Sequence, residues 1–576
     1  MPAWDLGFGI PVGQIPLEID KTMTLTGGQA LAQQMSRAGI RHVFGVPGVQ
    51  LDWAVDGLAS LDGAIQYVVP RHEQAAAYMA DGYARSTGSV GACMVVPGPG
   101  VLNAAAGLAT AYACCSRVLL IAGQIQSSLI GRNLGMLHEV RDQSRIIASI
   151  TKWQTLAGRP EDIPQSVRDA LDQLFLNTPR PAAIEIPPDV LKAEAECETC
   201  AWSAPPTERP ESRDIVAAAK VLAGTRFPVI VAGGGVLAAG AFAELQRVAE
   251  KLQAPVVMTE EATGAIPTSH PLALTALGGR AVLPHADAVL GVGTRFVDSI
   301  GVPLASARRA RIVLMNTDES DLAAPREAEI KLRCDARVGL AALGDELGSM
   351  PARAPLTSEV ERVRTWCERQ IAGIEPQLSW VRALRSAIPE NGILVNELTQ
   401  VGYVANIAYP VNTPRTFITP GYQGTLGYGW PTALGVAVGN PDRPVVSIAG
   451  DGGFGWGIQE LATAKRYGLG AIAVVFNDSA FGNVKRMQRN LFGRVLGTDL
   501  ANPDFMKLAA AFGVDAMRAV TPEVLVGGLR EAIAGKRAAL IEVPVGEMPS
   551  AWHLLRAHYK SKEPPPPNPL GEPAGS

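Results

Sequence analysis

The sequence predicts an α/β protein made of three consecutive doubly wound parallel-sheet domains. Three observations carry that expectation. Short apolar runs alternate with Ala-rich helical stretches along most of the chain, which is the pattern of βαβ units. Polar, Pro-rich joins divide the alternation into three blocks. At 576 residues the chain is too long for a single core, and two to four domains are expected.

Residues 1–22 show little periodicity and read as an N-terminal arm. The first domain is placed at 23–195, with strands HVFGV, ACMVV, VLLIAG and AAIEI separated by Ala-rich helices. Residues 193–213, Glu- and Pro-rich, read as a linker. The second domain, 210–347, has a strand at 228–232, a glycine corner at 233–235 and a helix at 241–252. Further strands at 256–259, 288–292 and 312–315 give it Rossmann-like character. The third domain, 360–548, holds apolar runs at 445–449 and 471–476 with a helix expected at 458–467. The tail, 549–576, ends in KSKEPPPPNPLGEPAGS, expected to be extended or disordered.

Composition excludes several functions. Hydrophobic residues make up 47% and charged residues 18% of the chain, with a mean hydropathy of +0.13. The formal net charge of −4 supplies no basic field for nucleic acid or anionic lipid. No apolar stretch reaches the roughly 18 residues a membrane span needs. The first residues lack a basic and an apolar signal region, so cytoplasmic residence is the expectation. Seven cysteines, an odd number, argue against a disulfide framework. Cys197 and Cys200 read as incidental linker thiols, and Cys114 and Cys115 as core packing.

The densest chemistry lies in AGDGGFGWGIQELATAKRYGLGAIAVVFND. Gly450, Gly452 and Gly453 let the backbone turn tightly and bring N–H groups to an anion. In a parallel sheet the two strand ends face one crevice, so Asp451 and Asp478 can converge. Two hard oxygen ligands beside a phosphate cradle suit Mg²⁺ bridging a diphosphate. In the first domain a strand delivers Arg71-His72-Glu73 to a helix start. Pro47 in VFGVPG, Asn103 in VPGPGVLN and Gln124 in LLIAGQ end neighbouring strands. These ends and Glu73 should line a single crevice.

The stretches TGGQALAQQMSRAGIRHVFGVPG, RHEQAAAYMADGYARSTG, VPGPGVLNAAAGLATAY, LLIAGQ, GYQGTLGYGWPTALGVAVGNP and GDG…ND resemble the thiamine-diphosphate enzymes of the acetolactate synthase-like family. The resemblance implies a pyrimidine-binding first domain and a diphosphate-binding third domain, facing each other across a homo-oligomer's dimer interface. It implies that Glu73 hydrogen-bonds N1′ of the aminopyrimidine, so that the 4′-imino group can take the proton from thiazolium C2. Gly424 would accept from the 4′-amino group, and Leu426 would be the apolar wedge that bends the cofactor. Asp451, Asp478 and the backbone of Ala480 would hold Mg²⁺, with Gly452, Gly453 and Gln400 near the diphosphate. Gln124 and His138 are candidates for the catalytic end. Asp478 stands where the family often has Asn, and a second carboxylate still suits Mg²⁺.

Substrate choice is less defined. The family's Gln-Trp-Gln stretch is Arg486-Met487-Gln488 here, with Met487 in place of the acceptor-selecting Trp. LGMLHEVRDQ puts His138 and Glu139 near the reactive end, although a surface helix accounts for them as well. Lys152 matches a family lysine that often only covers a helix face. The central domain would take FAD, ADP or coenzyme A, or stay empty, since 232–235 lacks the full GxGxxG pattern. The favoured reading is an acetolactate synthase-like carboligase acting on 2-oxo acids. The alternative is a 2-hydroxyacyl-CoA lyase or oxalyl-CoA decarboxylase-like lyase. A non-catalytic paralogue would have lost Glu73 or the metal loop, and both are present.

Overall fold

In the computed structural model of the protein, the described residues are 21–297, 304, 310–323, 327–556 and 566–573. They form three six-stranded, wholly parallel sheets. The first runs in the order Gln66–Val68, His42–Gly45, Gly91–Val95, Val118–Gly123, Ala182–Ile186, Trp153–Leu156. The second is Ala273–Thr275, Val256–Met258, Pro228–Ala232, Ala288–Val292, Arg311–Asn316, Ile330–Arg333. The third is Phe417–Ile418, Ile393–Asn396, Val445–Gly450, Ala471–Asn477, Ala539–Pro544, Asp515–Arg518. Helices cover both faces of each sheet, so the central strands are buried along nearly their whole length and read as continuous apolar runs.

The register Val445↔Ala471 through Gly450↔Phe476 brings the Asp451 and Asp478 strand ends level. The first and third domains meet through two helices, Glu73–Thr87 and Gly429–Gly439. A Cβ at Gly435 would collide with the Met79 backbone, so only glycine permits this crossing. All three domains also converge on Arg85, whose guanidinium donates to Tyr428 Oη at 2.8 Å, the Thr419 carbonyl and Glu261 at 2.7 Å. Asp81 is buried beside that guanidinium, and desolvation raises its carboxyl's pKa.

Several expectations change. The linker expected from residue 193 begins as a strand, Glu194–Thr199, paired antiparallel with Lys21–Thr26. Cys197 is buried within that strand, because every second side chain faces helix Gly27–Arg37. The expected 458–467 helix is a 3₁₀ turn, Ile458–Glu460, followed by Leu461–Tyr467. A one-turn helix, Asp451–Phe454, starts directly at the strand end, so the amides nearest the crevice belong to the glycine stretch itself. Cys114 and Cys115 lie just past helix Pro99–Ala113, half-buried on a cleft wall rather than in the core. Lys152 donates to the carbonyls of Gln173, Leu176 and Thr178 and so caps helix Ile163–Phe175. The expected arm, apart from its last two residues, lies outside the described residues. The tail's described part docks: Asn568 donates to the Ala281 carbonyl at 3.0 Å, and Trp552–Leu555 forms a helical turn on the cleft.

Candidate active site

Glu73 opens its helix because the preceding residue caps it. His72 Nδ1 accepts from the Gln74 N–H at 3.1 Å, and a carboxylate in the first turn suits the helix dipole. Asn103 donates from Nδ2 to Glu73 Oε2 at 3.0 Å. Pro47 and Asn103 are exposed and Glu73 is half-buried, so this end of the first domain is an open face rather than a closed pocket. Gln74 and Tyr78, on the same helix, reach the third domain. Tyr78 Oη lies 3.3 Å from Thr425 Oγ1, and Gln74 Nε2 flanks Gly427.

Gln124 is placed differently from a free catalytic amide. It is buried, and its Nε2 donates to Glu185 Oε2 at 3.1 Å, while Gln143 donates to the same oxygen at 2.9 Å. Burial raises the Glu185 pKa, and the amides of Gln124 and Gln143 offset part of that rise. His138 sits over the strand end of Gly91–Val95, where a Cβ at Gly98 would strike its carbonyl. Its φ of 68° is left-handed and its buried Nδ1 has no partner among the described residues. Glu139 closes its own turn by accepting from the Met136 N–H at 2.9 Å, and both residues stand on an irregular segment, not a helix.

Asp451 and Asp478 do converge. Asp478 is pushed up to about 6, first by desolvation and then by the Asp451 carboxylate beside it. Asp478 Oδ1 also accepts from the Ala480 N–H at 3.2 Å. Such a pair, with a backbone turn beside it, is the donor set a hard divalent cation neutralises. Asn502, which sequence reasoning missed, donates to Asp451 Oδ2 at 2.6 Å and to Asn477 Oδ1 at 3.0 Å. It sits in a loop without a periodic signal, so no local pattern marks it. Gln400 begins helix Gln400–Ala408, where Thr399 is the cap, and accepts from Arg486 at 3.1 Å. Gly424 has a φ of 55°, and Leu426 is 38% exposed.

A cleft of about 1420 Å³ connects the central domain to the third. Its walls include Gly233, Thr294, Arg295 and Asn316 at central strand ends, and Gly424, Leu398, Met487 and Trp552 beyond. Gly233 and Gly235 spend their N–H groups on the carbonyls of Val292 and Gly293, both at 2.9 Å. These two N–H groups therefore serve the close packing of two strand ends rather than a phosphate cradle.

The three parallel α/β domains correspond to the three domains of one class of protein, the thiamine pyrophosphate enzymes. Family models agree in the same order along the chain. Residues 25–146 match the N-terminal TPP binding domain of thiamine pyrophosphate enzymes, 215–343 their central domain and 398–543 their C-terminal TPP binding domain. A Pseudomonas aeruginosa protein named probable 2-ketoarginine decarboxylase is 34% identical over 92% of this chain and 95% of its own. The probable acetolactate synthase large subunit of Methanocaldococcus jannaschii is 31% identical over 94% and 97%. The Escherichia coli acetolactate synthase isozyme 3 large subunit is 31% identical over 90% and 95%. The chain belongs to the acetolactate synthase-like family of thiamine-diphosphate enzymes. Among the described residues no helix is long and apolar enough to cross a membrane.

Proposed function

We propose that this chain, with thiamine diphosphate and Mg²⁺, cleaves the C1–C2 bond of a 2-oxo acid and joins the remaining fragment to a second 2-oxo acid. The observation that carries this reading is the shared cleft, which places Met487, expected to read the acceptor, on the same walls as Gly424. When bound, the cofactor supplies a carbon nucleophile and an electron sink for the pair left by decarboxylation. Glu73 would hold the proton at N1′ of the aminopyrimidine, with Asn103 fixing the carboxylate's orientation. The Gly424 carbonyl would accept from the 4′-amino group, and Leu426 would support the bend between the rings. Asp451, Asp478 and the Ala480 carbonyl would hold Mg²⁺, while Gly452, Gly453 and Gln400 would meet the diphosphate. His138 would face the substrate. The mutual repulsion of Asp451 and Asp478 supports the metal, because a divalent cation removes it.

The open face bearing Pro47, Glu73 and Asn103, together with exposed Leu426, fits a site completed by a second copy of the chain. The cleft's volume admits FAD, ADP or coenzyme A in the central domain. A second reading, release of the fragment as a simple aldehyde, is favoured by Met487 in place of the acceptor-selecting Trp and by the name of the Pseudomonas relative. Product analysis separates the two. Acetohydroxy acid from pyruvate supports the carboligase, whereas aldehyde and CO₂ from a longer or guanidino 2-oxo acid, with no acetohydroxy acid, supports the decarboxylase.

A further inference from the structure

Glu397 follows the strand Ile393–Asn396 at the rim of the third domain and is only 2% exposed. Its two carboxylate oxygens accept from different backbone N–H groups, Oε2 from Gly429 at 2.7 Å and Oε1 from Gly427 at 3.3 Å. On its other side stands Gly453, where any Cβ would collide with Oε1. Even Gly429 leaves only 3.0 Å between a built Cβ and Oε2. Two chain segments distant in sequence, 427–429 and the turn at Gly453, therefore close around one carboxyl group.

Burying a carboxyl without a cation is costly, and desolvation pushes Glu397 up to about 7 despite the two backbone donors. A residue needed only for packing would be better served by an apolar side chain of similar size. What the carboxyl group supplies that Leu or Met cannot is two directed acceptors, one for each amide.

We propose that Glu397 is a positioning residue that ties the turn bearing Gly424 and Leu426 to the turn bearing Gly452 and Gly453. Resting on the thiamine-diphosphate reading, it holds the parts that would meet the aminopyrimidine in register with the parts that would meet the diphosphate. Glu397 touches neither ring nor phosphate in this role. It acts through the Gly427 and Gly429 amides.

Amide hydrogen exchange on the cofactor-free wild-type protein is the first test. The Gly427 and Gly429 amides should be protected before any cofactor is added, and rapid exchange at both would overturn the proposal. Glu397→Gln is the second. Its amide oxygen can serve one glycine N–H, but its NH₂ opposes the other. Exchange should accelerate at 424–429 and not across the sheet, and thiamine diphosphate should bind at least ~10-fold more weakly in calorimetry with Mg²⁺ present. Gly453→Ala should reproduce the faster exchange by displacing the carboxyl group. Unchanged exchange together with cofactor affinity within ~2-fold of wild type would overturn it. If the glutamine variant does not fold, the wild-type exchange and Gly453→Ala still decide. Failure of the wild-type protein to bind thiamine diphosphate would instead strike the proposed function, and the exchange pattern alone would then decide the role of Glu397.

Discussion

Replacing Asp478 by Asn should stabilise the metal-free protein and weaken its hold on the cofactor at the same time. Asp478 is raised from 3.8 to about 6 by burial and by Asp451. A folded-state pKa above the unfolded one means the folded state favours the protonated form. The associated stability is complete below pH 3.8 and is lost as pH rises through about 6. A rise of that size corresponds to ~3 kcal/mol. Partial exposure of Asp478 to water screens the charge and reduces the figure to ~1–2 kcal/mol. Asn is neutral throughout and can still accept from the Ala480 amide, so it avoids the loss. Thermal unfolding in EDTA should show little difference between variant and wild type at about pH 4, where Asp478 is still largely protonated in the folded state. At pH 8 the variant should melt higher by a few degrees, at ~2–4 °C per kcal/mol for a domain of this size. Added Mg²⁺ and thiamine diphosphate should restore more stability to wild type than to the variant. A difference that is the same at both pH values, or a wild type that melts higher at pH 8 in EDTA, would refute the reasoning.

Glu73→Gln should leave the melting temperature unchanged and lower turnover by at least ~10²-fold at saturating cofactor, the scale for a lost proton-transfer group; near-wild-type turnover removes Glu73 from that role. Met487→Trp should sharpen discrimination between pyruvate and 2-oxobutyrate as acceptors by ~1–3 kcal/mol, read as a product ratio in a competition assay. An unchanged ratio takes Met487 away from the acceptor. Gly435→Ala should destabilise the protein by ~1–3 kcal/mol in denaturant unfolding, because the new methyl group meets the Met79 backbone. Equal midpoints would mean the two helices separate without cost.

Much of the fold was legible because parallel strands buried on both faces leave a plain record: ACMVV, VLLIAG and VVSIAG are continuous apolar runs ending in turn residues. The Asp451–Asp478 pairing was legible for the same reason, since both residues terminate adjacent strands of one sheet. What escaped depends on partners far away in the chain. Glu397 in NELT reads as a polar strand end, and its burial is decided by Gly427, Gly429 and Gly453. Glu194–Thr199 looks like linker because its partner strand, Lys21–Thr26, is 168 or more residues earlier in the register, as in Thr26↔Glu194. Gln124 was expected at the reactive end, but the carboxyl group that takes its amide, Glu185, lies inside a strand that reads as wholly structural. Arg85 lies in an Ala-rich stretch where nothing local marks it, and its partners come from two other domains.

Everything proposed for the site depends on Asp451 and Asp478 holding a divalent cation for a diphosphate cofactor. Calorimetric titration of thiamine diphosphate into the metal-stripped wild-type protein, with and without Mg²⁺, tests this most directly. Saturable binding with Mg²⁺ and its loss in EDTA are the expected results. Equal affinity in both conditions, or no binding in either, would contradict it.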